Sequence, residues 1–164
     1  NTVFHAHGGF VIGSESITGM KRIVVRQCQF SGTDTGLRFK SGIGRGGKTE
    51  DIFISDIVMN DITDEAIVFQ CDYVDRPAGH DEKKETKAVK LEKVPDFTDI
   101  DITRVVCRGT KTAIKAKGVE GLDCIHDIKI SNSTIVYSQK GLDIDENSAR
   151  LALDNVQVVK DEMK

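Results

Sequence analysis

Five short segments of the chain share one pattern of apolar and polar positions. Each begins with Gly or Ala and then reads apolar, variable, apolar. The segments are Gly9–Ile12, Gly36–Phe39, Ala66–Phe69, Ala113–Ala116 and Gly141–Ile144. Their starts are separated by 27, 30, 47 and 28 residues. A nearly constant period of this size indicates a repeat architecture in which each unit buries its apolar face against its neighbours.

Two further apolar segments follow each of these at a similar lag. The second segments are Ile23–Val25, Ile52–Ile54, Ile100–Ile102, Ile128–Ile130 and Leu151–Leu153. The third are the pairs Cys28/Phe30, Ile57/Met59, Val105/Cys107, Ser133/Ile135 and Val156/Val158. Three short strands per coil predict an all-β right-handed parallel β-helix, a single-stranded solenoid of about five coils.

Other β architectures fit the sequence less well. An antiparallel sandwich would need hairpin turns such as Asn-Gly, which the sequence lacks. A leucine-rich repeat would need far more Leu, whereas the chain has 17 Ile and 16 Val against 6 Leu and 8 Ala. β-Branched side chains favour strands because they suit a pleated surface.

Alternation along the first strand of each coil assigns its two faces. The inward set is Phe10, Ile12, Leu37, Phe39, Ile67, Phe69, Ile114, Ala116, Leu142 and Ile144. The outward set is Val11, Arg38, Lys40, Val68, Gln70, Lys115, Lys117, Asp143 and Asp145. Neighbouring coils should lie about 4.8 Å apart, so each set forms a column along the solenoid.

Length and composition place residues 1–164 in one domain. The 47-residue interval contains an insertion near residues 75–95, which is charged and lacks periodicity, so we expect a loop there. The formal net charge of −3 argues against a nucleic-acid partner. No apolar stretch reaches the length of a membrane span. The four cysteines show no Cys-x-x-Cys spacing, and we expect buried thiols, with bridges left as the alternative.

Arg38 and Lys40 are the most informative outward residues. Two adjacent cations repel each other and would benefit from an anionic partner, and Arg presents a fork that suits a carboxylate. Their outward neighbours, Val11 and Val68, supply no acid, so the pair favours an acidic ligand over a solvated surface pair. Lys115 and Lys117 differ because Asp143 and Asp145 follow one coil later. We expect those four residues to form a structural charge ladder.

Two other motifs carry less information. His5 and His7 lie in a Gly-rich turn before the first strand. Without further ligands at a suitable spacing, they predict no metal site, and from the residues alone a turn role is favoured. The segment 42–47 lacks the Gly-Lys-Ser/Thr ending of a phosphate-binding loop and is predicted to turn a corner with Arg45 at its rim. No cofactor is expected.

The segments AHGGFVIGSE (6–15), GTDTGLRFKSGIGRGG (32–47), AIVFQCDYV (66–74) and EKVPDFTDIDI (92–102) resemble glycoside hydrolase family 28, the polygalacturonases. The resemblance covers essentially the whole chain and implies a right-handed parallel β-helix that hydrolyses the α-1,4 linkages of galacturonan in pectin with inversion. His7 matches the His of the family's Gly-His-Gly motif, with Ala6 in place of the first Gly. Arg38-Phe39-Lys40 matches Arg-Ile-Lys, and Tyr73 matches a Tyr of the following coil.

The resemblance also implies roles for these residues. His7 would assist near the catalytic acids, and Arg38 and Lys40 would hold a galacturonate carboxylate after the scissile bond. The family's Asn-Thr-Asp and Asp-Asp motifs, which supply the general acid and base, do not occur in this sequence. We therefore expect the C-terminal half of such an enzyme, inactive alone, with an acidic polysaccharide as partner and a secreted or periplasmic location.

Two alternatives remain open, and the expected truncation has a physical consequence. One alternative is a non-catalytic β-helix that binds glycan or serves as a surface adhesin. The other is a polysaccharide lyase, which fits less well because lyases of this fold bind calcium through acid clusters. An N-terminally truncated solenoid would expose a sheet edge and core residues such as Phe10 and Ile12. Self-association through that edge is therefore predicted.

Overall fold

The computed structural model describes residues 1–73 and 93–162. These residues form ten strands and all the pairing between them is parallel. The strands are β1 (Thr2–Phe4), β2 (Gly8–Ile12), β3 (Met20–Ser31), β4 (Thr35–Lys40), β5 (Lys48–Asn60), β6 (Glu65–Gln70), β7 (Asp96–Phe97), β8 (Ile100–Lys117), β9 (Ile128–Ile144) and β10 (Leu151–Lys160). The chain is a right-handed parallel β-helix, as the repeat predicts.

The predicted segments stack in the expected register. Phe10 pairs with Leu37, Leu37 with Ile67, Ile67 with Ile114 and Ile114 with Leu142. The long strands β3, β5, β8 and β9 contain the predicted second and third segments joined through a bend. The second segments stack from Ile23 through Ile52, Ile100 and Ile128 to Leu151.

The bend between the second and third segments is a column of residues in the left-handed backbone region. Its members are Gln27, Asp56, Arg104, Asn132 and Asn155, with φ values between 48° and 57°. Asn and Asp tolerate this conformation better than other residues with a side chain. Their side chains also bond between coils, since Arg104 donates to both carboxylate oxygens of Asp56 at 2.7 and 2.9 Å. The corner is therefore repeated without a glycine in any of the five coils.

The solenoid interior is a continuous apolar column with aromatic rings in its centre. Phe39 stacks on Phe69 with ring centroids 4.5 Å apart and planes 5° from parallel. Phe97 meets both rings edge-on, and Phe10 meets Phe39 edge-on at 6.4 Å. The stacked rings of Phe39 and Phe69 thus hold β4 on its inner face, opposite its outward residues Arg38 and Lys40.

Three expectations are corrected by burial. Leu142 faces inward but is 45% exposed, because β10 pairs only with residues 128–137 of β9 and leaves its C-terminal part uncovered. Ile12, expected to be exposed, is only 3% exposed and belongs to the core. The exposed apolar residues of the first coil are instead Phe4, Val11, Ile17 and Val24.

The third correction concerns Val68, which lies on the outer face and yet is 3% exposed. Its register neighbours are Arg38 and Lys115, whose long side chains flank it. The four cysteines are free thiols, and three of them are buried. The predicted insertion at residues 75–95 lies outside the described residues except for its last three.

Candidate carboxylate-binding site

The first strands of successive coils stack on one another, and we call this stack the first sheet. Four residues singled out by the sequence lie together on its outer face. Arg38 and Lys40 project from β4, His7 directly precedes β2, and Tyr73 follows β6. The backbone places Tyr73, because its N–H donates to the carbonyl of Ser41 at 3.1 Å. We call His7, Arg38, Lys40 and Tyr73 the Arg38 site.

Arg38 is held by an imidazole and an aromatic ring rather than by an acid. Its Nη1 lies 2.9 Å from His7 Nε2, and its guanidinium carbon lies 6.0 Å from the Tyr73 ring centroid. Its Nε is buried and has no hydrogen-bond partner. Among residues 1–73 and 93–162, no carboxylate pairs with this guanidinium. A positioned cation without a counter-ion favours an anionic ligand.

Lys40 and Tyr73 form the second contact of the site. Lys40 Nζ lies 4.5 Å from the Tyr73 ring centroid, within the range of a cation–π interaction. The ring therefore faces both cations and orients them toward one region of the surface. The backbone of Gly42 passes so close to the carbonyl of Tyr73 that a Cβ at this position would collide with it. This close approach explains the glycine directly after Ser41.

His7 connects Arg38 to an acid, Asp34, that the sequence analysis does not single out. His7 Nδ1 lies 2.7 Å from Asp34 Oδ2, and both side chains are largely exposed. The signal was present in the sequence: His7 and Asp34 are 27 residues apart, which is the spacing of the first two coils. Residues one period apart lie side by side in a solenoid.

The turn 42–47 behaves as predicted. Gly44 has a φ of 88°, and the carbonyl of Arg45 accepts a hydrogen bond from Ser16 N–H at 3.0 Å. The guanidinium of Arg45 pairs with Glu15 at 3.2 Å. The turn thus ties the first coil to the second beside the Arg38 site.

The predicted ladder of Lys115 and Lys117 with Asp143 and Asp145 is wrong in its partners. Lys115 lies beside Asp143 in the register, yet its ammonium pairs with Glu65 at 3.0 Å, one coil the other way. Lys117 pairs with Asp72 at 2.6 Å. Asp143 instead binds Lys140. We call Lys115, Lys117, Glu65 and Asp72 the paired row.

Two members of the paired row, Asp72 and Lys117, have pKa values shifted by their contact with each other. Burial opposes ionisation of Asp72, but hydrogen bonds from Lys117 and Gln70 outweigh it and hold the pKa of the carboxyl below its usual value. The same hydrogen bond raises the pKa of Lys117. Both groups are therefore stabilised in their charged forms by each other.

Two other kinds of site were sought in the part of the chain that the structure describes. There, no three His, Cys, Asp or Glu side chains are grouped so as to hold a metal ion. Nor does that part contain a helix with the length and apolar character required to cross a bilayer.

Comparison with known proteins gives one consistent family. The family model of glycosyl hydrolases family 28 matches residues 1–153. A polygalacturonase of Ralstonia solanacearum is 31% identical over 119 residues, which are 70% of this chain and 20% of that protein. An exo-poly-alpha-D-galacturonosidase of Dickeya chrysanthemi is 27% identical over 122 residues, 74% of this chain and 20% of that protein.

A solved structure extends the likeness to the fold. The exopolygalacturonase of Thermotoga maritima superposes with a TM-score of 0.66 at 25% identity, over 90% of this chain and 31% of that one. The chain thus spans about a fifth of the length of the two bacterial relatives that it matches. The parallel coils, the order of the motifs and the family-model match agree: this chain belongs to glycosyl hydrolases family 28.

Proposed function

We propose that this chain supplies the carboxylate-binding half of a pectin-degrading cleft, and that the substrate is galacturonan with its α-1,4 linkages. The observation that carries the proposal is the state of Arg38, a cation held by His7 and Tyr73 with no acidic partner among the described residues. A galacturonate carboxylate is a planar anion that matches the guanidinium fork. Family membership supports the same ligand.

The roles within the Arg38 site follow from the chemistry of each side chain. Arg38 provides directional hydrogen bonds to the carboxylate, and Lys40 adds a point charge next to it. Tyr73 orients both cations and presents a ring against which a sugar can pack. His7 lies at the edge of this site nearest the first coil, where it assists the reaction by hydrogen bonding.

The chemical step requires more than these residues. Inversion at a glycosidic centre uses two carboxyl groups about 6.5–9.5 Å apart, one as acid and one as base. The carboxylate next to His7 is that of Asp34, and it is engaged by the imidazole. We therefore assign binding to these 164 residues, and not the general acid and base. On this proposal the protein acts outside the cell, where pectin lies.

The proposal is tested by calorimetric titration of the chain with trigalacturonate. The matched control is the methyl ester of the same trisaccharide, which has the same sugar rings without the charges. The free acid should bind, and its affinity should fall as salt rises, because partly exposed charges are screened. The ester should bind far more weakly. Equal affinity for acid and ester, or no binding of the acid, would refute the proposal.

A further inference from the structure

One column of side chains lies at the N-terminal edge of the first sheet, and it contains Asp34, the acid next to His7. The column consists of His7, Asp34, Asp64 and Lys111, which directly precede register-matched residues of β2, β4, β6 and β8. Its backbone is fixed on both sides of Asp34. The Asp34 N–H donates to the carbonyl of Ala6 at 3.0 Å, and the Asp34 carbonyl accepts from Asp64 N–H at 2.8 Å.

The hydrogen bonds of His7 determine which of its ring nitrogens bears the proton. The Arg38 guanidinium can only donate, so His7 Nε2, at 2.9 Å from Nη1, must accept. His7 Nδ1 then bears the hydrogen and donates it to Asp34 Oδ2 at 2.7 Å. A doubly protonated imidazole would direct an N–H at Arg38 and lose that bond. In the contact between His7 and Asp34, the Nδ1–H of a neutral ring therefore donates a hydrogen bond to the carboxylate.

We propose that Asp34 is a positioning residue of the carboxylate-binding site, which fixes the Nδ1–H tautomer of His7 and thereby the orientation of the Arg38 guanidinium. The inference rests on the proposed function for its ligand. It goes beyond that function because it assigns a role to an acid that contacts His7 and makes no hydrogen bond to Arg38. Binding geometry set in advance of the ligand reduces the ordering cost of binding.

The buried part of Arg38 shows why such support is needed. Arg38 Nε is buried without a hydrogen-bond partner, so the guanidinium is not anchored at that atom. Its hydrogen bond to His7 and its approach to the Tyr73 ring remain to hold it. Ring contacts at 6.0 Å restrain a guanidinium less than a hydrogen bond does. Loss of the Nε2 acceptor would therefore let the fork rotate.

Asp64 offers a matched control. It occupies the same column one coil further and has nearly the same side-chain exposure, 50% against 47% for Asp34. Its partner is Lys111, at 2.9 Å, and not a residue of the Arg38 site. Asp64→Ala thus removes an equivalent acid without touching His7.

The first measurement is made without ligand. Nitrogen NMR of the imidazole distinguishes the two neutral tautomers in the wild-type chain and in Asp34→Ala, Asp34→Asn and Asp64→Ala. We expect the Nδ1–H form in the wild type and in Asp64→Ala. Asp34→Ala should move His7 toward the Nε2–H form, and Asp34→Asn, which keeps an acceptor oxygen, should retain part of the wild-type signal. An unchanged tautomer in Asp34→Ala would overturn the inference.

The second measurement is the affinity for trigalacturonate in the same variants. Asp34→Ala should weaken binding about threefold to tenfold, the effect of one hydrogen bond. Asp64→Ala should leave it unchanged, and Asp34→Asn should fall between. Equal loss in Asp34→Ala and Asp64→Ala would reduce Asp34 to a general charge effect and overturn the inference. If the wild type does not bind the trisaccharide, the proposed function fails, and the tautomer measurement alone still decides whether Asp34 positions His7.

Discussion

Arg38 and Lys115 occupy the same outward column of the same sheet, two coils apart, with Val68 between them. Lys115 has an acidic partner, Glu65, at 3.0 Å, whereas the polar and aromatic contacts of Arg38 among the described residues are with His7 and the Tyr73 ring. The fold presents both cations in the same way. The difference shows that position on a solenoid face does not determine whether a cation has a counter-ion. On the function proposed above, the absence of a local counter-ion distinguishes the binding residue from the structural one.

The largest effect is expected from a substitution in the core that packs beneath the outward column of Arg38 and Lys115. Phe39→Ala deletes the ring that stacks on Phe69 beneath the outer face, and we expect a loss of about 3–5 kcal/mol in the free energy of unfolding. Urea denaturation measures it. Phe4→Ala is the control, because Phe4 is 62% exposed and its removal should change stability by less than about 0.5 kcal/mol. Similar values for the two variants would contradict the packing described.

The next largest effect is expected to distinguish Arg38 from Lys115 by their contributions to ligand affinity. Arg38→Ala should weaken trigalacturonate binding by about 1.5–3 kcal/mol, the cost of losing a charged hydrogen-bond donor. Lys115→Ala should leave affinity unchanged, since that ammonium is already occupied by Glu65. Calorimetry with both variants provides the test. If Lys115→Ala lost as much affinity as Arg38→Ala, the ligand would contact both cations, and the difference proposed between them would be wrong.

Much of this comparison was available from the sequence, and the part that was not has a physical reason. The coil period aligned Arg38 with Val11, Val68 and Lys115 correctly, because strand register follows the apolar repeat. It did not identify the partners of Lys115. A long ammonium side chain can reach an acid on either neighbouring coil, and Glu65 and Asp143 are both within one coil of it.

For the site, too, the sequence predicted some of the residues and missed another. The resemblance gave His7, Arg38, Lys40 and Tyr73, and the structure brings them together. Asp34 is not among the predicted residues because it lies in a turn outside the repeated strand pattern, although the 27-residue spacing places it beside His7. Column neighbours in a solenoid need to be examined for turns as well as for strands.

A third change gives Arg38 an acidic partner of the kind that the lysines of the paired row already have. Val11 lies directly across the strand from Arg38 and is 37% exposed, so Val11→Glu supplies the missing acid. An opposite-charge cross-strand pair contributes about 0.2–1 kcal/mol, and we expect affinity for trigalacturonate to fall about twofold to fivefold. Val106→Glu, equally exposed at 37% but in the third segment of its coil, serves as the control. Unchanged affinity in Val11→Glu would argue that Arg38 does not bind the ligand.

The smallest expected effect concerns the paired row and its pH dependence. The pKa of Asp72 is held below its usual value, so its contribution to stability is present above that value and is lost as pH falls through the folded-state pKa. Asp72→Asn should abolish this acid-side loss and cost at most about 1 kcal/mol near neutral pH. Unfolding curves recorded between acid and neutral pH measure it. A steeper acid dependence in the variant would contradict the assignment.

The most direct test of the central claim follows side-chain signals of both cations during one titration. The Arg38 guanidinium and the Lys115 ammonium can be observed by NMR in the same labelled chain while trigalacturonate is added. The account predicts that the Arg38 signals shift to saturation and that the Lys115 signals stay in place. Shifts confined to Lys115, or no shift at Arg38, would contradict it.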